Sequence, residues 1–407
     1  MLYTKDSEKI CKHILKSLNG FNNIKLTGLS SKILLTFLND IDICNKSVEQ
    51  ELNNDFIKIR FIEEVDKPSL YESKYVSNDI YAKIEEGVGV LRCKIMINEL
   101  DVTINVLLYN KNNNSFERAK NIIKMVIIYL KFIQQYSGKN GSLKIYLYMT
   151  DLKKKLPENN TEIIGSNNAN TAVTYACIKD GEIYIYRYEE WFKVLIHEIM
   201  HSLCLDFSPV QSNDMEKLKE NIKGIFKIKS TFDIAEAYTE FWANIINLSF
   251  ISYYSLKGTI DRNSFLEYFE SHLNIERAFS IYQMNKILIF LDIDDYNHLY
   301  DDDKVSKNLR RLYKEDTNIF SYYILKMIFL YNTNEFLKWN WNNNTNIIKF
   351  NKNNSSNYNK LFKFVEIKYK SGKMLEDIKH MKRFSKKDND DKFLRKTLRM
   401  TVFDLLI

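Results

Sequence analysis

Proline and glycine are scarce in this chain of 407 residues, at three and eleven. Asn, Lys and Ile serve the loops instead, the usage of an AT-rich genome, and the Asn runs at 112–114 and 342–344 read as codon bias without function. The five cysteines, Cys11, Cys44, Cys93, Cys177 and Cys204, form no Cys-x-x-Cys pair and no even framework. That excludes a zinc ribbon and a disulfide scaffold and points to a reducing compartment. Long apolar runs are missing too: the most apolar stretch, 125–133, is too short to span a bilayer and carries Lys131. Residues 1–9 are charged and lack the apolar core of a signal peptide, so a soluble intracellular protein is expected. The formal charge of +7 is modest and interleaved with acids, except over 379–399, where Lys382-Arg383 and Lys386-Lys387 cluster. Such a run reads as a solvated helix or frayed terminus, and neither specific nucleic-acid binding nor a membrane partner is expected.

What is present is a mass of 48.4 kDa with 45% hydrophobic residues, above the usual limit for one core, so two or three units are expected. Residues 1–112 read as an α/β domain, with a helix over 11–18, a strand over 56–61 and a long hairpin over 91–109. A second unit is expected over 113–341. It opens with an amphipathic helix from Ser115, a candidate N-cap, to a stop at Gly138, followed by a strand over 143–149. Two β-prone runs, 171–178 and 182–187, flank Lys179-Asp180-Gly181, and Asp-Gly is a hairpin turn signal. Residues 342–407 are expected to be a flexible Asn-rich connection, 342–359, leading to a basic helical tail.

Straight after the hairpin comes His197-Glu198-Ile199-Met200-His201. Imidazoles at i and i+4 lie about 40° apart around a helix, so both can face one metal ion while the Glu between them reaches a water on that ion. With six His in the chain, chance alone gives this pattern on the order of once in a few hundred sequences. The flanking residues add to it. Trp191 to Ile196 and Ile199 to Leu205 contain no Pro or Gly and are apolar almost all round, which reads as a buried helix. Buried imidazoles and a buried carboxylate need partners.

A catalytic zinc takes three protein ligands and keeps one position for water, so a third ligand is required downstream. Asp206, five residues past His201, falls about 140° around a continuing helix and is a poor ligand. His272 is the next His, in a segment without other ligand types. Glu236 and Glu240 are the stronger pair. They stand at i and i+4 among Ile234, Tyr238, Phe241, Trp242, Ile245 and Ile246, so two carboxylates leave one face of a largely apolar helix.

The spacing of His-Glu-x-x-His and, 35 residues on (236 − 201), Glu-Ala-x-x-Glu resembles the gluzincins, the thermolysin-like clan of zinc metallopeptidases. Metzincins are excluded because Cys204 and Phe207 stand where their Gly and third His belong. The resemblance implies an α+β fold with a zincin-like core: a mixed sheet and motif helix above, a helical half below, and one Zn2+ between them. It implies His197, His201 and Glu236 as ligands, Glu198 as the base, and Glu240 as the carboxylate that orients a ligating His. Glu stands at 240 where that clan has Asp. The resemblance also assigns Asn170, Thr171, Ala172, Val173, Thr174 and Tyr175 to an edge strand that pairs with the backbone of a peptide or protein substrate. Over about residues 165–250 the chain is similar to gluzincin-like proteins of large DNA viruses whose activity is undescribed, which implies host cytoplasm or virion as its location.

The expected activity is zinc-dependent peptide hydrolysis. A catalytically silent zinc-containing structural or virion protein is the alternative, and an intact Glu198 argues against it, since a structural site needs no base. Peptide deformylase shares the motif but takes a Cys ligand in a Gly-Cys-Leu context, and aminopeptidases carry Gly-x-Met-Glu-Asn; both elements are missing, which favours an endopeptidase. For the group that stabilises the oxyanion, His272, His298, Tyr238 and several later Tyr remain open.

Overall fold

The computed structural model of the chain describes residues 3–64, 76–387 and 391–406. Eight strands are formed: β1 Ile59–Ile62, β2 Gly89–Ile97, β3 Leu100–Leu108, β4 Gly141–Thr150, β5 Ile164–Gly165, β6 Ala172–Thr174, β7 Asp180–Arg187 and β8 Glu315–Asp316. The helices of the first half are α1 Lys5–Leu15, α2 Gly28–Asn53, α3 Asn78–Glu85, α4 Asn113–Ser137, α5 Ser166–Ala169, α6 Trp191–Ser202 and α7 Asn213–Phe226. Those of the second half are α8 Ile234–Ser255, α9 Arg262–Phe290, α10 Lys304–Arg310, α11 Lys326–Tyr331, α12 Thr333–Asn343, α13 Ser356–Lys368, α14 Gly372–Lys387 and α15 Lys392–Lys396. A π-helical turn, Phe320–Leu325, runs into α11. The fold is α+β, and among the described residues no helix is long and apolar enough to cross a membrane.

Six strands make one mixed sheet in the order β1-β2-β3-β4-β7-β6. The pairs β3–β4 and β4–β7 are parallel and the rest antiparallel, which leaves β6 on an edge. Alternation along the central strands sorts their side chains: Ile145, Leu147, Ile183 and Ile185 enter the main core, while Tyr146, Tyr148, Tyr184 and Tyr186 form an aromatic layer on the opposite face with Ile80 and Ile84 of α3. The expected boundary after residue 112 thus falls between β3 and α4, and β3 and β4 on either side of it are hydrogen-bonded neighbours. Likewise, one core cluster runs from Ile10 to Leu405, across the expected boundary after 341.

Several local expectations change. The cap of α4 is Asn112, whose side chain accepts from the Ser115 N–H, so Ser115 lies inside the first turn; Gly138, at φ 63°, closes the helix as expected. The hairpin turn is not Asp180-Gly181, which already belongs to β7; the chain reverses over 175–179. Gly181 is needed there for another reason: a Cβ would come within 2.7 Å of Ser202 Oγ, where β7 meets the end of α6. The Asn-rich segment is not a flexible connection. Ile348 and Phe350 are fully buried, Phe350 N–H donates to Leu205 O, and Tyr238 OH donates to Ile348 O at 2.6 Å. Asn344 Nδ2 donates to Ile347 O within the segment and to Tyr238 OH on α8. The basic tail is not a frayed end either. Residues 388–390 and 407 lie outside the described residues, but α14 buries Met374, Ile378 and Met381, and Arg399 is 1% exposed beside Asp404 at 3.6 Å.

Two of the five cysteines are joined. Cys177, in the loop after β6, forms a disulfide with Cys204, just past the end of α6, and both residues hold positive φ. Cys11, Cys44 and Cys93 remain free. Neither position carries a spacing signal, and the bridge removes the ground for inferring a reducing compartment. A loop of 27 residues closed this way stabilises the fold by about 3–4 kcal/mol in the chain-entropy account. Denatured, unreduced protein is expected to titrate three thiols, rising to five after reduction, and Cys177→Ser to lower the melting temperature. Five thiols without reductant would show that the bridge does not form.

Candidate metal centre

Helix α6 is buried on every face between the sheet and α8; all twelve of its residues are buried. Its entry is unusual. Glu190, at the N-cap, holds φ 61°, and the conformation is fixed by its carboxylate, which accepts from the N–H groups of Met400 and Thr401, both at 2.6 Å, and pairs with Lys154. The helix ends at Ser202, and Cys204, at φ 60°, turns the chain back. That reversal returns Asp206 to His201, with Asp206 Oδ2 2.6 Å from His201 Nδ1. The placing of Asp206 at about 140° assumed a continuing helix; the helix has stopped, and Asp206 backs an imidazole on its Nδ1 side.

Helix α8 supplies the opposing carboxylates. Asp233 caps it by accepting from the Ala235 N–H, which sets Glu236 in the first turn and Glu240 one turn on. Glu236 Oε2 lies 3.0 Å from His197 Nε2 and 3.5 Å from His201 Nε2, and the two Nε2 atoms are 3.0 Å apart. Glu240 Oε1 lies 2.9 Å from His197 Nδ1, off the axis of an ideal hydrogen bond, so the contact is nearer an ion pair. Each imidazole therefore has a carboxylate at Nδ1 and points Nε2 at the other and at Glu236.

This donor set fits a metal ion. With each Nδ1 carrying the ring proton toward its carboxylate, both Nε2 atoms present lone pairs, and a carboxylate oxygen completes the triangle. Three converging lone pairs repel unless a cation lies among them. Four-coordinate zinc with ligands at 2.0–2.1 Å places them about 3.3–3.4 Å apart, close to the triangle described above. His197, His201 and Glu236 are thus the residues that can hold an ion. Without one, the site draws protons: burial would depress both imidazoles, yet Glu236 and Glu240 raise His197, and Asp206 and Glu236 raise His201 well above the ordinary value. Against the cost of burial, the two imidazoles hold the carboxyl of Glu236, and Lys193 with His197 that of Glu240, far below the usual range.

Glu198 points into a cavity of about 490 Å3 that opens over the ligand atoms. It is 9% exposed, and its surroundings act on it through charge: burial raises its carboxyl above the usual range, and Glu236 and Glu240 add to this against the two imidazoles. A carboxylate so raised holds a proton more readily than a solvated one. The edge strand forms one wall, but it is shorter than expected. Ala172, Val173 and Thr174 are strand and line the cavity; Asn170 caps α5, Thr171 precedes the strand, and Tyr175 lies beyond it, 58% exposed. Tyr186 N–H donates to Thr171 O, so in this register Val173 also faces β7, and the backbone groups of Ala172 and Thr174 turn to the free edge.

The far wall holds Tyr322, carried on the π-helical turn, its ring centroid 6.3 Å from that of His197. Among the described residues it is the one tyrosine lining the cavity. The other candidates are elsewhere: His272 lies between Tyr3 OH and Ser252 Oγ, His298 faces Asp294 and Ser306, and Tyr238 is committed to Ile348 O. Nothing in the sequence separated Tyr322 from 25 other tyrosines; only the fold selects it. No protein-family model, curated protein or solved structure matches the chain.

The geometry predicts an order of severity in zinc dissociation constants. Glu236→Ala is expected to remove nearly all affinity, as a His substitution does, while Asp206→Asn and Glu240→Gln each weaken it by about 10- to 100-fold, the range for groups that orient a ligand. Equal, mild effects from all three would place the third ligand elsewhere.

Proposed function

We propose that this chain is a zinc-dependent peptidase of the gluzincin type, acting as an endopeptidase on a peptide or protein substrate, with the zincin-like core formed by the sheet, α6 and α8. The observation that carries the reading is the convergence of His197 Nε2, His201 Nε2 and Glu236 Oε2, each imidazole backed by a carboxylate, beside a Glu198 that faces open space. A zinc ion held there supplies a Lewis acid and an acidified water. Glu198 takes a proton from the attacking water and passes it to the leaving amine. The free edge of β6 holds the substrate as an added strand through the N–H and C=O of Ala172 and Thr174. Tyr322 donates its phenolic hydrogen to the oxygen that gains charge as the carbonyl is attacked, which requires the phenol to stay protonated; burial and the nearby Glu236, Glu240 and Glu198 all raise it well above the ordinary value.

The test is elemental analysis with peptide-library cleavage, with and without chelator. One zinc per chain and chelator-sensitive cleavage are expected. Glu198→Gln should keep zinc and the melting temperature while lowering hydrolysis by about 10²- to 10⁴-fold, and Tyr322→Phe should lower kcat by about 10²- to 10³-fold with little change in KM. Protein without zinc, or a Glu198→Gln rate equal to that of the unsubstituted chain, would overturn the reading; zinc without cleavage would favour a silent metal protein.

A further inference from the structure

Lys193 stands one helical turn before His197 on α6, in the middle of an apolar core, and its side chain is 1% exposed. Its ammonium grips both carboxylate oxygens of Glu240. Among the described residues its one other hydrogen-bond partner is a distant one, Met400 Sδ at 4.0 Å. The same Glu240 Oε1 lies 2.9 Å from His197 Nδ1. Lys193 and His197, at i and i+4, thus reach from one face of α6 to a single carboxylate on α8 and close a ring of contacts between the helices.

Packing does not require this lysine. Removing an ammonium from water is costly, and an apolar residue of similar volume commonly serves a core at least as well as a buried ion pair. The lysine does fix Glu240, whose oxygens could otherwise rotate away from the ring. A second cation, Lys326 at the start of α11, adds positive potential at Glu240 without touching it, its own Nζ bonded to Met400 O at 3.0 Å. The other imidazole has weaker support. Among the described residues Asp206 is hydrogen-bonded to no lysine, although Lys352 acts on it through charge; its Oδ1 has no hydrogen-bond partner, and Oδ2 has Thr239 at 3.5 Å besides His201. The two ligand histidines are therefore backed unequally.

We infer that Lys193 is a positioning residue of the metal centre: by holding Glu240 it orients His197 so that Nε2 is presented to the ion. The functional motif is then Lys-x-x-x-His-Glu-x-x-His, one turn longer than the metal-binding signature. The inference rests on the zinc reading above.

Zinc affinity of the full chain, by competition with a chromophoric chelator, tests it, with circular dichroism and thermal unfolding of the chelated protein reporting the fold. Lys193→Met is expected to weaken zinc by about 10- to 100-fold and to alter the visible absorption of the cobalt(II)-substituted protein. Glu240→Gln should do the same, and the double variant should be no weaker than the worse single by more than about threefold, since both act through one contact. Lys193→Arg, which keeps the charge, should restore most of the affinity. If Lys193→Met does not fold, Lys193→Gln carries the same expectation. Folded variants with affinity within about threefold of the unsubstituted chain, or losses that multiply in the double variant, overturn the role of Lys193 while leaving the zinc reading intact. An unsubstituted chain that binds no zinc overturns both.

Discussion

The pairing of charges across the contact between α6 and α8 is the constraint on which the rest depends. A helix buried on all sides has no water to solvate the Lys, Glu and two His that α6 carries, so each needs a partner or a task. Lys193 and His197 share Glu240, Asp206 returns to His201, and Glu236 completes the triangle of ligand atoms. Glu198 faces the cavity beside His197, His201 and Glu236. A solvent-exposed pair of this kind would contribute little; here the low dielectric makes each partner costly to remove.

The parts of this arrangement legible in the sequence are those set by local periodicity. His197 with His201, and Glu236 with Glu240, are i, i+4 pairs on apolar helices, and the β-prone run 182–187 reads as a strand. The parts that were not legible depend on where a helix stops or on pairings distant in sequence. Asp206 reaches His201 because Cys204 adopts a left-handed conformation, which its residue type does not announce. Cys177 and Cys204 meet because the loop after β6 folds against the end of α6. The Asn-rich stretch at 342–359 looked like a linker by composition, yet Ile348 and Phe350 within it are anchors, and Asn344 and Asn346 bond backbone groups within it.

The bridge and the edge strand are also one assembly. Cys177 N–H donates to His201 O, so His201, the turn after α6 and the loop after β6 are linked by both a covalent and a hydrogen bond. A wall so tethered keeps its distance from His197, His201 and Glu236.

Residues 397–405 pass beneath α6 as an extended, almost wholly buried strand of chain. The N–H groups of Met400 and Thr401 satisfy Glu190, those of Val402 and Phe403 satisfy Glu276, and Asn247 donates to Phe403 O. These partners are separated by as many as 211 positions. During vectorial synthesis at about 5–20 residues per second, the ribosome finishes this segment some 10–40 s after the motif helix has emerged. Until then Glu190 has Lys154 but lacks its two backbone donors, and Glu276 lacks its donors from Thr401, Val402 and Phe403. A nascent chain therefore holds both histidines long before it holds the segment that fixes Glu190 at the start of their helix, a built-in delay between acquiring the letters of the motif and completing its surroundings.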